Sequence, residues 1–85
     1  MSWDEVVRTL ASKRFSLTPV RHRVVEVLYG EGRPMSHDEL MGVLPQSYDR
    51  VTVYRTMNKL VDLGVVSKFE GDDKKSYFEL PRTPH

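Results

Sequence analysis

The residues best suited to chemistry in this chain are cations and aromatics at helical spacing. Val51, Arg55, Asn58, Lys59 and Asp62 fall on one side of a helix predicted over residues 50–63, with Tyr54 on the border. Val53, Met57, Leu60 and Gly64 run along the other side. An apolar stripe opposite a cationic face leaves that face to contact something outside the chain. Its residue types suit base-pair edges: arginine gives two parallel bonds to guanine O6 and N7, valine or a tyrosine ring packs on a thymine methyl, and threonine or tyrosine donates to a phosphate or a base. Arg50, Val51, Thr52, Tyr54 and Arg55 are therefore the candidate base contacts, with Arg55 the first choice for direct readout. Two other readings stand beside this one: an ion pair from Arg55 to Asp62 or Asp49, and Tyr54 as a half-buried core aromatic.

Phosphate contacts call for mobile cations around that face. Arg21, Lys59, Lys68, Lys74 and Lys75 are placed for them and would position the domain without reading sequence. Asp72 and Asp73 adjoin Lys74 and Lys75, so a plain solvated turn is an equal reading there. The formal net charge of +1 conceals this arrangement. Lys13, Arg14, Arg21 and Arg23 occur within residues 13–23 without an acid, as do Arg50, Arg55 and Lys59 within 50–59, whereas Asp38, Glu39 and Asp49 gather between them. Such separation suggests an anionic partner, although solvated helix faces also look like this.

The elements that must position these groups follow from periodicity and caps. Trp3, Val6, Val7 and Leu10 give a first amphipathic helix over about 3–12. Thr18-Pro19 starts a second, with Val20, Val24, Val27 and Leu28 inward and Gly30 and Gly32 at its end. Ser36-His37-Asp38-Glu39 is a capping box opening a short third helix that buries Leu40, Met41, Val43 and Leu44 and stops at Pro45. Asp49 caps the fourth after a link of a few residues, the shape of a helix-turn-helix. After Gly64, the β-prone runs 65–69 and 76–80 flank a polar tip and predict a hairpin. The expected fold is mostly α with a C-terminal β-hairpin, a winged helix-turn-helix over residues 1–80, followed by the start of a linker or a disordered tail at 81–85.

Composition narrows the function classes. Eighty-five residues, 39% hydrophobic and 29% charged, make one folded domain with little space for an enclosed active site. Without cysteine there is no disulfide, thiol nucleophile or Cys-ligated zinc, and His22, His37 and His85 accompany no nucleophile motif, phosphate loop or metal-ligand spacing. A non-enzymatic chain with no complete metal site is expected. The apolar runs are too short to span a bilayer and no secretory signal opens the chain, which predicts a cytoplasmic protein.

Thr18-Pro19-Val20-Arg21, Ser36-His37-Asp38-Glu39-Leu40, the string Thr52 to Leu60, Leu63-Gly64-Val65-Val66 and Tyr77-Phe78-Glu79-Leu80 together resemble the N-terminal half of the Fur (ferric uptake regulator) family of bacterial repressors, from about residue 14 to 80. The resemblance implies a winged-helix DNA-binding domain in which Tyr54 and Arg55 match DNA-contacting residues and Arg21 matches a phosphate contact. Ser16 stands where many members place a minor-groove lysine, with Arg14 as a substitute, so both join the expected backbone contacts. Full-length members continue into a dimerisation domain that binds zinc, iron or another divalent metal. Glu79 matches a carboxylate able to ligate the regulatory metal, but Pro34 replaces a frequent histidine partner, and the chain stops about where a histidine-rich hinge would begin.

The resemblance implies an operator-reading head for a metal- or peroxide-responsive repressor, binding double-stranded DNA at an AT-rich palindrome in a bacterial cytoplasm. A homodimer is expected for a full-length relative, and a monomer or weak dimer for this chain. A winged helix that docks protein through the Val51 and Tyr54 face or the hairpin edge is the alternative.

Overall fold

In a computed structural model describing residues 2–81, each helix begins where a side chain takes up its unpaired N–H groups. Helix α1 (Trp3–Ser12) starts at Ser2, whose hydroxyl accepts from the Glu5 N–H while the Glu5 carboxylate accepts from the Ser2 N–H. Helix α2 (Pro19–Glu31) starts at Thr18 and runs through Gly30 to end at Gly32, whose φ of 64° is left-handed. Strand β1 (Met35–Ser36) leads directly into helix α3 (His37–Val43), where Ser36 and Glu39 form the expected capping box. Helix α4 (Arg50–Asp62) starts at Asp49, which accepts from the Thr52 N–H, and strands β2 (Ser67–Glu70) and β3 (Ser76–Glu79) complete the chain.

This is the expected winged helix with one addition. The sheet has three antiparallel strands in the order β1-β3-β2, β1 pairing Met35 with Phe78 and Ser36 with Tyr77. Two residues are too short to display an alternation in sequence, and only β3 makes them a strand. The expected strand at 65–69 also begins later. Gly64 at φ 77° turns the chain, and Val65 and Val66 are buried with both N–H groups donating to the Leu60 carbonyl, at 3.0 and 3.2 Å. These two valines plug the end of α4 rather than extend the hairpin.

Val6, Leu10, Val24, Leu28, Leu40, Val53, Met57, Leu60 and Phe78 are fully buried in one cluster, with α2 packed against α4. Several side-chain expectations change. On α2, Val25 is buried and Val20 and Val27 only partly, as is Met41 on α3, since the core wraps further round α2. On α3, Leu40 and Leu44 face inward one turn apart, and Val43 is left 50% exposed. Burying most of an aromatic such as Phe78 contributes roughly 1.5–3 kcal/mol, so this small cluster carries the stability of the domain. Of the tail expected at 81–85, all beyond Pro81 lies outside the described residues. Among the described residues, no helix is long and apolar enough to cross a membrane.

Candidate nucleic-acid interface

The Asp49 cap sets the first turn of α4. Its carboxylate accepts from the Thr52 N–H at 2.9 Å and the Thr52 hydroxyl at 3.0 Å, and these bonds hold the Asp49 carboxyl below its ordinary range, Thr52 N–H first. The Thr52 hydroxyl hydrogen is thus committed, leaving its oxygen as an acceptor. Thr56, which the sequence pattern left unassigned, is buried, and its hydroxyl donates to the Thr52 carbonyl at 2.9 Å. Val53, Met57 and Leu60 anchor the helix as expected, so Val51 (53% exposed), Tyr54 (41% exposed) and Arg55 project outward.

Arg55 makes no ion pair among the described residues, neither with Asp62 nor with Asp49. Instead Arg55, Lys59 and Arg21 converge with Thr18, Thr52 and Thr56 around a depression of about 340 Å³ between the start of α2 and α4. Three cations thus line one open hollow, while the hydroxyl hydrogens of Thr52 and Thr56 are already given to the Asp49 carboxylate and the Thr52 carbonyl. The structure thereby joins Arg21 to residues more than thirty positions away, through the packing of α2 on α4. Arg21 is steadied by Phe15, whose ring centroid lies 4.6 Å from the guanidinium, and it donates to the Ser16 carbonyl at 3.2 Å and to the Ser16 hydroxyl at 3.4 Å. Ser16 therefore sits beside this basic group. Arg14, at a left-handed φ of 59°, lines a separate apolar hollow with Phe15 and Leu17.

Arg50 is oriented differently from its neighbours. Its guanidinium pairs with Asp38 at the start of α3, and this contact, with Lys75 as a weaker contributor, holds the Asp38 carboxyl below its ordinary range. Lys75 and Arg50 line one hollow with Asp38 and Tyr54, so this wing lysine approaches the helix-turn-helix. Lys68 also turns inward, donating to Asn58 Oδ1 at 3.2 Å with its ammonium 5.9 Å from the Tyr54 ring centroid and 5.4 Å from that of Phe78. Lys74 is exposed at a left-handed φ of 65° on the wing tip.

The tip itself is ordered by bonds among its own groups that the sequence pattern did not assign. The Asp73 carboxylate accepts from the Tyr77 hydroxyl at 2.6 Å and the Lys75 N–H at 3.0 Å, which lowers the Asp73 pKa and raises that of Tyr77. The Tyr77 ring lies over Gly71 so closely that a β-carbon there would stand 2.6 Å from its Cε2. His37 is a second omission: its Nε2 lies 3.1 Å from the Arg50 carbonyl and its ring centroid 5.1 Å from that of Tyr54. The acidic run facing the basic start of α4 was the available signal for the Asp38–Arg50 pair; none marked His37.

The sequence profile of the Ferric uptake regulator family matches residues 12–85. The chain belongs to that family. Its fold is similar to that of the Vibrio cholerae ferric uptake regulator, at 30% identity and a TM-score of 0.78, the match covering 92% of this chain and 63% of that one. The Helicobacter pylori ferric uptake regulator is 21% identical with a TM-score of 0.82, covering 100% and 61% respectively, and a zinc-bound manganese uptake regulator is 20% identical with a TM-score of 0.80, covering 94% and 63%. At these lower identities the likeness concerns the fold alone. The Fur-family chain thus spans 61–63% of the length of these relatives. No curated protein matches it. Membership of a regulator family agrees with the expectation of a non-enzymatic domain, and the fold is the family's winged-helix DNA-binding domain.

The Helicobacter protein is described as having three functional metal-binding sites. The described residues of this Fur-family chain do not fit such a centre. Glu79 lies half-buried on β3 opposite Ser67, Pro34 supplies no donor, and no group of three or more His, Asp or Glu side chains gathers among the described residues.

Proposed function

We propose that this chain is the operator-reading head of a bacterial Fur-family repressor, acting on double-stranded DNA in the cytoplasm. The convergence of Arg21, Arg55 and Lys59 beside the exposed Val51 and Tyr54 is the observation that carries this reading. Entry of the first half of α4 into the major groove brings Arg55 to a base edge, Tyr54 and Val51 to thymine methyls, and the Thr52 oxygen to a donor. Arg50 reaches bases only by releasing Asp38, so it ranks last among these contacts. Arg21, Lys59, Ser16 and Arg14 meet the backbone on one side and Lys74 on the other, while Lys68 and Lys75 reach phosphates only after leaving their inward contacts.

The target is an AT-rich inverted repeat, and paired heads on its half-sites gain avidity of ~10²–10⁴ over one head. This chain alone binds weakly, as a monomer or weak dimer. Response to a metal or peroxide is assigned to the part of the relatives' length that this chain does not span, since no group of three or more ligand side chains gathers around Glu79 among the described residues. Selection from a randomised duplex pool, followed by a salt titration of the enriched duplex and a base-shuffled duplex, tests the reading. The expected result is tighter binding to the enriched duplex and a steep loss with salt.

Exposed Val51 and Phe69 favour the protein-docking alternative. Failure of selection to enrich any sequence, with a folded chain and salt-insensitive association, would replace the DNA reading by that one.

A further inference from the structure

We infer that His37 is a positioning residue for Tyr54, setting sequence discrimination without touching DNA itself; this rests on the DNA reading above. The Arg50 carbonyl can only accept, so the imidazole Nε2 at 3.1 Å donates to it. In an α-helix that same carbonyl receives the N–H four residues on, which is that of Tyr54. One oxygen in the first turn of α4 therefore ties His37 to the backbone of the residue whose ring it also meets, at 5.1 Å between centroids. The Lys68 ammonium also lies over the Tyr54 ring, 5.9 Å from its centroid, and Phe78 meets it edge-on at 6.5 Å from the core. Asp38, the next residue of α3, holds the Arg50 side chain. Adjacent residues of α3 thus grip the two ends of Arg50, carbonyl and guanidinium, and fix how α4 presents its reading face.

Tyr54 is 41% exposed, so part of it is open to a partner while His37, Lys68 and Phe78 lie against the rest of its surroundings. A ring already held in place needs no further ordering when DNA arrives, whereas ordering a free side chain on binding costs about 0.5–1.5 kcal/mol, or roughly two- to tenfold in affinity. Removing His37 transfers that cost to the binding step. Only base contact depends on the ring, so the loss falls on the preferred sequence and spares contacts made through Arg21 and Lys59.

The test uses the full chain with His37→Ala and His37→Gln, the second keeping an N–H donor. Affinity for the duplex enriched by selection and for its shuffled counterpart is measured beside the NMR signals of the Tyr54 ring and the melting midpoint. The expected result for His37→Ala is a roughly two- to tenfold fall in the enriched-to-shuffled ratio with shuffled-duplex affinity unchanged. Shifted or broadened Tyr54 signals accompany it, and His37→Gln restores part of the ratio. An unchanged ratio, or an equal loss on both duplexes, would overturn the role in discrimination. If the unsubstituted chain prefers no sequence, the DNA reading fails by itself, and the Tyr54 signals then decide separately whether His37 holds the ring: unchanged signals overturn the inference, altered ones support it.

Discussion

Arg55 and Lys59 lie one helical turn apart on the rim of the same hollow, yet their removal should have opposite signatures. A rise of 1.5 Å per residue puts Lys59 about 6 Å further along α4 than Arg55, away from the end proposed to enter the groove. Arg55 has no close ion pair among the described residues and attracts the Asp49 carboxyl only weakly, so Arg55→Ala reports chiefly on binding. A bidentate arginine–guanine contact is worth about 1–3 kcal/mol of discrimination, which predicts a fall of roughly five- to 150-fold in the preference for the enriched duplex. In the proposed reading Lys59 is the phosphate contact of the pair. Its removal should weaken both duplexes by the same factor and reduce the slope of log K against log salt by about 0.9, the share of one neutralised phosphate. Fluorescence anisotropy on labelled duplexes between about 50 and 200 mM salt measures both quantities. If Arg55→Ala weakened both duplexes equally, the base-reading assignment would be refuted; a change of preference in Lys59→Ala would refute the backbone assignment.

Arg50→Ala should lower the preference less than Arg55→Ala does in the same assay, because Arg50 is engaged with Asp38; an equal or larger loss would show that it leaves that pair to read bases. Ser36→Ala removes the buried cap of α3 and should cost roughly 0.5–2 kcal/mol. For a domain this small each 1 kcal/mol corresponds to about 4–8 °C in melting midpoint, so an unchanged calorimetric midpoint would exclude the capping role. Acid should destabilise the fold through Asp38, Glu39, Asp49 and Asp73, whose folded pKa values are all lowered, by Arg50, by the Ser36 N–H, by the Thr52 N–H and by the Tyr77 hydroxyl in turn. A depressed folded pKa gives stability that is complete above the unfolded value and lost as pH falls through the folded one, so urea midpoints should hold near neutrality and fall below about pH 4. Midpoints that stayed level down to pH 3 would contradict this.

Much of the architecture was legible because its signals are local. Ser36 with Glu39, Thr18 with Pro19, and Asp49 announce three helix starts through bonds made within three residues, and the spacing of Val53, Met57 and Leu60 orients α4 before anything packs on it. The outward placement of Val51, Tyr54 and Arg55 follows from that orientation, so the exposed face of α4 could be named in advance. Tertiary structure decided what depends on partners distant in sequence. Met35 and Ser36 are a strand only because β3 lies beside them, and Val65 and Val66, β-prone by type, are drawn into the core at the end of α4. Which of two like cations is paired was also decided by packing, the acidic run before α4 being only a general signal. Arg50 and Arg55 are alike in type and sit on the same helix, but α3 supplies Asp38 and His37 to one, and the packing of α2 brings Arg21 to the other. A side chain's type and helical angle set which way it leaves its own element; what it meets there depends on contacts between elements that no local pattern encodes.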